Sequence, residues 1–299
     1  MKRLLCVLFV TVLLCAPAVL AEDENPVLTT INGRQFIGTV QYADGLFRVN
    51  GADRAWGIRE QVVSDIQFSQ LRRMPDNAMH AIVSTRWGSV FGCVLLEERE
   101  PEHLTCSTVE FGTVSLSLQH IRAIRMLAEN VWISPESFAR ELKDLVPEKL
   151  DRLKLASGDS YSCIVLSIGD DEVSVETDGR ELTFKRAEVD TIVFAQNEAE
   201  NAALHAVANT VYANSYALEL QKLDSKVLSG ELLSGPYAEL AKETVTSLSI
   251  LNGAALDLTE QKPAKVTYKP FFTQTWKHKV NSSLNGGSLK INGTAYDRG

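Results

Sequence analysis

Gly158-Asp159-Ser160 sets a serine beside an acid in the form a serine nucleophile can use. Tyr161 follows where a glycine is wanted and no histidine is placed as its partner, so a hairpin turn accounts for the triplet. His80, His103, His120, His205 and His278 are scattered without metal-ligand spacing. Asp170-Asp171-Glu172 puts three acids in one tight turn but lacks the further oxygen ligands of a calcium site. Gly-x-Ser-x-Gly, His-Glu-x-x-His and phosphate-loop patterns are missing, so the sequence calls for no catalytic residue, no metal and no cofactor. Trp56, Trp87, Trp132 and Trp276 are potential platforms for sugar rings. The first three read as packing residues, and Trp276 is the carbohydrate-binding candidate. Cys93 and Cys106 flank the loop around Arg99 to Glu102 almost equidistantly, which makes them a disulfide candidate on facing strands in an oxidising compartment. The alternative is three buried thiols, and Cys163 stays unpaired under either reading.

Strands must position these residues. Arg152 to Phe194 consists of runs of four to nine residues cut by Ser157-Gly158-Asp159, Gly169-Asp170-Asp171 and Asp178-Gly179-Arg180. Leu153/Leu155, Tyr161/Cys163/Val165, Val173/Val175 and Leu182/Phe184 recur at spacing two, one buried face per strand. A similar pattern occupies Val27 to Phe68, with Phe36, Gly38 and Val40 in the places of Tyr161, Cys163 and Val165. In His80 to Met126 those places fall to Val90, Gly92 and Val94. The fold class is therefore mainly β: small antiparallel repeats over 22–70, 79–128 and 151–196, each sheltering its neighbour's strand edges. Ser134 as N-cap, Pro135 at the first position and the stripe Phe138, Leu142, Leu145 predict a helical connector in 129–150. A second, short helix is expected in 197–209. Residues 210–260 read as a degenerate fourth repeat, favoured by the punctuation at Gly230, Gly235 and Pro236; the alternative continues the preceding helix through Leu220.

Residues 1–21 have the composition of a secretory signal peptide: Lys2-Arg3, the apolar Leu4 to Leu14, then Val19-Leu20-Ala21. The expected mature chain keeps 278 of the 299 residues, is secreted or periplasmic, and has no membrane span after cleavage. Losing Lys2 and Arg3 takes the formal charge from −8 to −10, which disfavours nucleic acid as a partner. Carbohydrate and envelope proteins remain the candidate partners.

Gly38 with Asp44, Gly92, and Asp171 with Ile192 give the repeats a resemblance to Sm-like barrels: a bent five-stranded sheet with glycine in its second strand and an Asp-containing turn after it. The asparagine that Sm-like RNA-binding proteins place soon after that turn is missing from Leu46 to Val49 and Glu172 to Val175, so only the shape carries over. At the C-terminus, Asn281, Leu284, Gly287, Leu289-x-Ile291-x-Gly293, Tyr296 and Arg298-Gly299 resemble the opening of NPCBM, the carbohydrate-binding module associated with glycosyl hydrolase family 98. The resemblance implies the start of a β-sandwich over 261–299 and a sugar-binding protein. Its sugar- and calcium-binding residues would lie beyond Gly299, so none is transferred. Together these features describe a secreted, non-catalytic protein for carbohydrate binding or adhesion. Alternatives are a structural or protein-interaction array in a bacterial envelope, and the accessory part of a glycoside hydrolase.

Overall fold

The computed structural model describes residues 25–68, 70, 79–97, 102–128, 133–144, 149–195 and 203–253, and the backbone of 289–291 and 294–296. It is mainly β and its long-range pairings are antiparallel. Four units follow one plan. The first comprises β1 (Val27–Thr30), β2 (Gln35–Ile37), β3 (Thr39–Ala43), β4 (Leu46–Asn50), β5 (Ala55–Arg59) and β6 (Val63–Gln67). The second has β7 (Ala81–Thr85), β8 (Val90–Leu95), β9 (His103–Thr108), β10 (Gly112–Ser117) and β11 (Ile121–Met126). After a helix α1 (Pro135–Glu141), the third has β12 (Asp151–Leu155), β13 (Ser160–Ile168), β14 (Glu172–Thr177), β15 (Arg180–Lys185) and β16 (Val189–Val193). The fourth has β17 (His205–Thr210), β18 (Ser215–Leu223), β19 (Val227–Leu232), β20 (Tyr237–Ala241) and β21 (Val245–Leu251).

In every unit the first strand pairs with both the second and the last, and one 3₁₀ turn joins the last two strands. The pairings align the units residue by residue. Leu28, Val83, Leu153 and Ala208 each face a last-strand residue (Ile66, Ile124, Ile192, Leu248) and a second-strand aromatic (Phe36, Phe91, Tyr161, Tyr216). This corrects the sequence alignment of the second unit by one position. Phe91, Cys93 and Leu95, rather than Val90, Gly92 and Val94, stand where Phe36, Gly38 and Val40 stand. A continuously buried strand such as β8 shows no alternation from which to read its face. Gly38 is required by close approach: a Cβ there would lie 2.3 Å from the Asn50 carbonyl oxygen. Gly92 is crowded by a different neighbour, the Met79 side chain, rather than by backbone.

Residues 205–209, expected in a helix, form most of β17, which lies between β18 and β21. Pairing on both sides outweighs the modest helix preference of the Ala- and Asn-containing HAVANT segment. The fourth repeat thus starts five residues before the expected boundary, and Ser215–Leu223, where the helix would have continued, is a strand. Helix α1 begins as expected, with Ser134 Oγ accepting from Ser137 N–H and Pro135 in the first turn. It is shorter than 129–150, giving way to a 3₁₀ turn at Leu142–Asp144, and Phe138 and Leu142 bury against Ile82, Val90, Ala123 and Leu127. Beyond the four units, Leu289–Ile291 pairs with Thr294–Tyr296.

The units join in the order first, fourth, second, third. β6 runs against β21 with Ile66 opposite Leu248, and β11 against β16 with Ile124 opposite Ile192. Tyr42 opposite Leu223 adds to the first of these contacts. Each pairing sets equivalent residues face to face, the mark of a twofold, self-complementary contact. A third contact of this type joins the second and fourth units, where Val90 faces its equivalent Ser215. There Gly92 N–H donates to Asn214 Oδ1 (2.9 Å) and, reciprocally, Ala217 N–H donates to Ser89 Oγ (2.8 Å). Phe91 stacks on Tyr216 with centroids 5.3 Å apart. Glu110, in the β9–β10 turn, accepts from Thr210 Oγ1 (2.7 Å), Asn214 Nδ2 (2.8 Å) and Tyr216 OH (2.8 Å). Burial, and then the Glu110 carboxylate, push the Tyr216 hydroxyl pKa well above its ordinary value.

Candidate binding groove on the first unit

From Arg54, just before β5, through Trp56 to Ile58 the alternation runs on one face, passing from exposed through half-buried to buried. Arg34 and Phe36, also two apart, come up beside them from the β1–β2 hairpin. The hairpin turn is fixed by Thr30 N–H to the Arg34 carbonyl (2.9 Å) and by Gly33 N–H to the Thr30 carbonyl (2.8 Å). The result is an open groove of about 720 Å³ lined by Arg34, Phe36, Arg54, Trp56 and Ile58. Phe36 meets Trp56 edge to face at 5.5 Å, and the Arg54 guanidinium lies 5.0 Å from the Trp56 ring centre. A second groove lined by Arg34, Phe36, Ile58 and Arg59 continues it around the hairpin. One arginine over a half-buried aromatic pair, with a second lining the same groove, can hold an anion by charge while a flat or apolar group lies on the rings.

The same place in the other units is different. Trp56 is replaced by Val114, Leu182 and Ala238, which pair with Cys106, Val175 and Gly230 as Trp56 pairs with Val49. Arg34 is replaced by Ser89, Asp159 and Asn214, the residues that close the equivalent hairpin. Four units of one plan thus yield one cationic, aromatic groove at this place among the described residues. Sequence reasoning placed Trp56 among packing residues. The missed signal was Arg54-x-Trp56-x-Ile58, a charge-to-core gradient on one strand face, opposite Arg34-x-Phe36.

The other candidates are placed as follows. Ser157 Oγ donates to Asp159 Oδ2 (2.9 Å) in the β12–β13 turn, which holds Gly158-Asp159-Ser160 as a hairpin. Arg186 donates from its N–H to the Asp171 carbonyl (2.7 Å) and from Nε to the Asp170 carbonyl. His120 Nδ1 lies 2.9 Å from the Ser234 carbonyl and its ring meets Trp87 edge to face, while His205 Nδ1 contacts the Ala203 carbonyl at 2.9 Å. Among the described residues no group of three His, Cys, Asp or Glu side chains is gathered for a metal.

Cys93 and Cys106 do not face each other, as the disulfide candidate requires. The β8–β9 register sets Leu95 opposite Cys106, so Cys93 is one diagonal step away on the same face, and both are free, buried thiols. A hydrogen bond to Cys106, together with burial, raises the Cys93 pKa well above the ordinary thiol value. Burial pushes Cys163 up to about 11. Trp132, Trp276, His278 and the side chains of the NPCBM-like segment lie outside the described residues. Among the described residues no helix is long and apolar enough to cross a membrane. No family model matches the chain, and no curated protein matches it either.

Proposed function

We propose that this chain is a non-catalytic interaction protein acting outside the cytoplasm. In this reading four bent sheets of Sm-like shape are fused into one body that offers the groove of its first unit to an anionic partner. The observation that carries it is the convergence of Arg34 and Arg54 on the half-buried Phe36–Trp56 pair, at a place where the other units carry no such set. The leader-like residues 1–21 support export. The test is binding of the full chain to immobilised polyanions, acidic peptide and acidic glycan in parallel, against Arg34→Glu and Trp56→Ala. Retention that falls at least about tenfold in Arg34→Glu supports the groove. Equal retention by wild type and both variants refutes it.

Carbohydrate binding is the second reading, favoured by the accessible Trp56 ring beside two arginines and by the NPCBM-like residues near the C-terminus. It requires uronate- or sulfate-bearing glycans to be retained and their loss in Trp56→Ala to exceed the loss of acidic peptide. Retention insensitive to Trp56→Ala but abolished in Trp276→Ala would move the sugar site to the C-terminal segment.

A further inference from the structure

The contact between the second and fourth units is a template, and half of a second such contact stands open at each end of the molecule. In the order first, fourth, second, third, each inner unit uses both of its contact surfaces, the last strand and the hairpin edge of the second strand. Each end unit pairs through its last strand, with Tyr42 of β3 added in the first unit, and neither uses its hairpin edge. Burial records the difference. Ser89 to Gly92 and Asn214, Tyr216 and Ala217 are buried, and the two aromatics are fully so. The equivalent Arg34, Gln35 and Ile37 of the first unit and Asp159, Ser160 and Ser162 of the third are exposed, with Phe36 and Tyr161 half-buried. The apolar side chains left in solvent at these two ends include Ile37 (58%) and Leu182 (36%), whereas Val114 and Ala238, the counterparts of Leu182 in the inner units, are buried.

We infer that the hairpin edge of the third unit docks on the groove of the first unit of a second copy of this chain, repeating the second–fourth contact between molecules. The inference rests on the groove being a recognition surface, and it names the partner. The residues fit role by role. In the template an acid from the third-to-fourth-strand turn, Glu110, is gripped by Thr210, Asn214 and Tyr216. The third unit keeps an acid on that turn, Asp178, and the first unit keeps the threonine as Thr30, the aromatic as Phe36, and puts the cation Arg34 in place of Asn214. Arg54 adds a second cation at that rim.

The roles do not reverse, because the third unit has Leu155 and Asp159 where the gripping threonine and asparagine would be. In the template Ser89 Oγ accepts Ala217 N–H. Asp159 supplies an acceptor at Ser89's place, and Ile37 offers its N–H at Ala217's. Tyr161 is then set to stack on Phe36 as Phe91 stacks on Tyr216. Arg180 and Asp53, the groups of opposite sign beside Asp178 and Arg54, flank these pairs on the same turns. Because donor and acceptor surfaces differ, association is head to tail and leaves both end surfaces of the assembly open.

The test is the mass of the purified full chain by sedimentation equilibrium, at concentrations up to about 100 μM, a range that detects micromolar contacts. The expected result is a weight-average mass that climbs with concentration past twice the monomer and falls with added salt. Arg34→Glu and Asp159→Arg, both on exposed turn residues and with unchanged circular dichroism, should each remain monomeric. Their mixture should form 1:1 dimers and stop there, since it contains one working surface of each kind. Monomeric wild type, association unaffected by either variant, or no dimer on mixing overturns the inference. A monomeric wild type that still loses polyanion binding in Arg34→Glu would overturn self-association alone and leave the groove as a recognition surface.

Discussion

Replacing Asn214 with alanine removes the acceptor of Gly92 N–H and the donor to both oxygens of Glu110 in a single change. Asn214 is fully buried and Gly92 is buried, so no water reaches the orphaned N–H. Leaving it unpaired costs about 1–3 kcal/mol. The lost bonds to a carboxylate are worth about 1.5–3 kcal/mol in isolation. They fall toward the low end because Glu110 is only half-buried and keeps Thr210 and Tyr216. The two losses share one residue and do not add fully, so the expected cost is about 3 kcal/mol, a midpoint shift of roughly 6–12 °C at about 2–4 °C per kcal/mol. The assay is thermal unfolding followed by near-ultraviolet circular dichroism, where Tyr216 and Phe91 report. Asn209→Ala, which breaks one half-buried bond to Ser247 Oγ (2.9 Å), serves as the comparison and should cost no more than about 1 kcal/mol. Pairing Asn214→Ala with Glu110→Ala should show a coupling of about 1–2 kcal/mol. A cost for Asn214→Ala no larger than that of Asn209→Ala, with no coupling, would refute the reading of this network as the tie between the second and fourth units.

Ala213 sits at φ +63°, where the equivalent hairpins have Gly33, Gly88 and Gly158, so Ala213→Gly should raise the urea midpoint by an amount equal to about 0.5–1 kcal/mol. Burial raises the folded pKa of Asp65 above its unfolded value, so its charge costs stability at neutral pH and the cost fades as pH falls through the folded pKa. Asp65→Asn, which can still accept from Ser249 Oγ, should therefore be the more stable protein at about pH 7, with the difference gone at about pH 4; a difference that grew on acidification would contradict this. With its pKa up at about 11, two units above the ordinary thiol value, Cys163 should be alkylated roughly a hundredfold more slowly in the native protein than in the denatured chain. After denaturation without reductant Cys93, Cys106 and Cys163 should all react, and a Cys93–Cys106 bond found by mass spectrometry would contradict their free-thiol state.

The β character of the chain was legible because Gly- and Asp-centred turns cut it into short runs with period-two patterning. Helix α1 was legible because Ser134 and Pro135 are local signals that need no partner. What escaped the sequence was whatever pairing decides. The strand β17 has helix-compatible residues and is made a strand by β18 and β21 on its two sides. The face assignment of β8 slipped because buried residues line both sides of it, so Cys93 was set opposite Cys106 on loop symmetry while the register sets Leu95 there. The groove escaped for another reason. Trp56 reads as core until Arg34 and Phe36 are brought beside it by a hairpin more than twenty residues earlier in the chain.

The order of association explains why the units differ where they do. All four must keep the residues that make a sheet, and they do: an apolar residue facing the last-strand centre, an aromatic beside it, and a threonine or leucine opening the first hairpin. They differ at the positions of Arg34, Ser89, Asp159 and Asn214, which all lie at one structural site. In the inner units this site carries small polar side chains that accept a neighbour's backbone N–H, and burying a charge without a partner there would cost several kcal/mol. In the end units it carries opposite charges in solvent, where the cost of a charge is small. One hairpin position thus sorts the units into inner and end roles, so Arg34→Asn with Asp159→Ser should make the ends resemble the inner units and turn charge-steered association into one indifferent to salt.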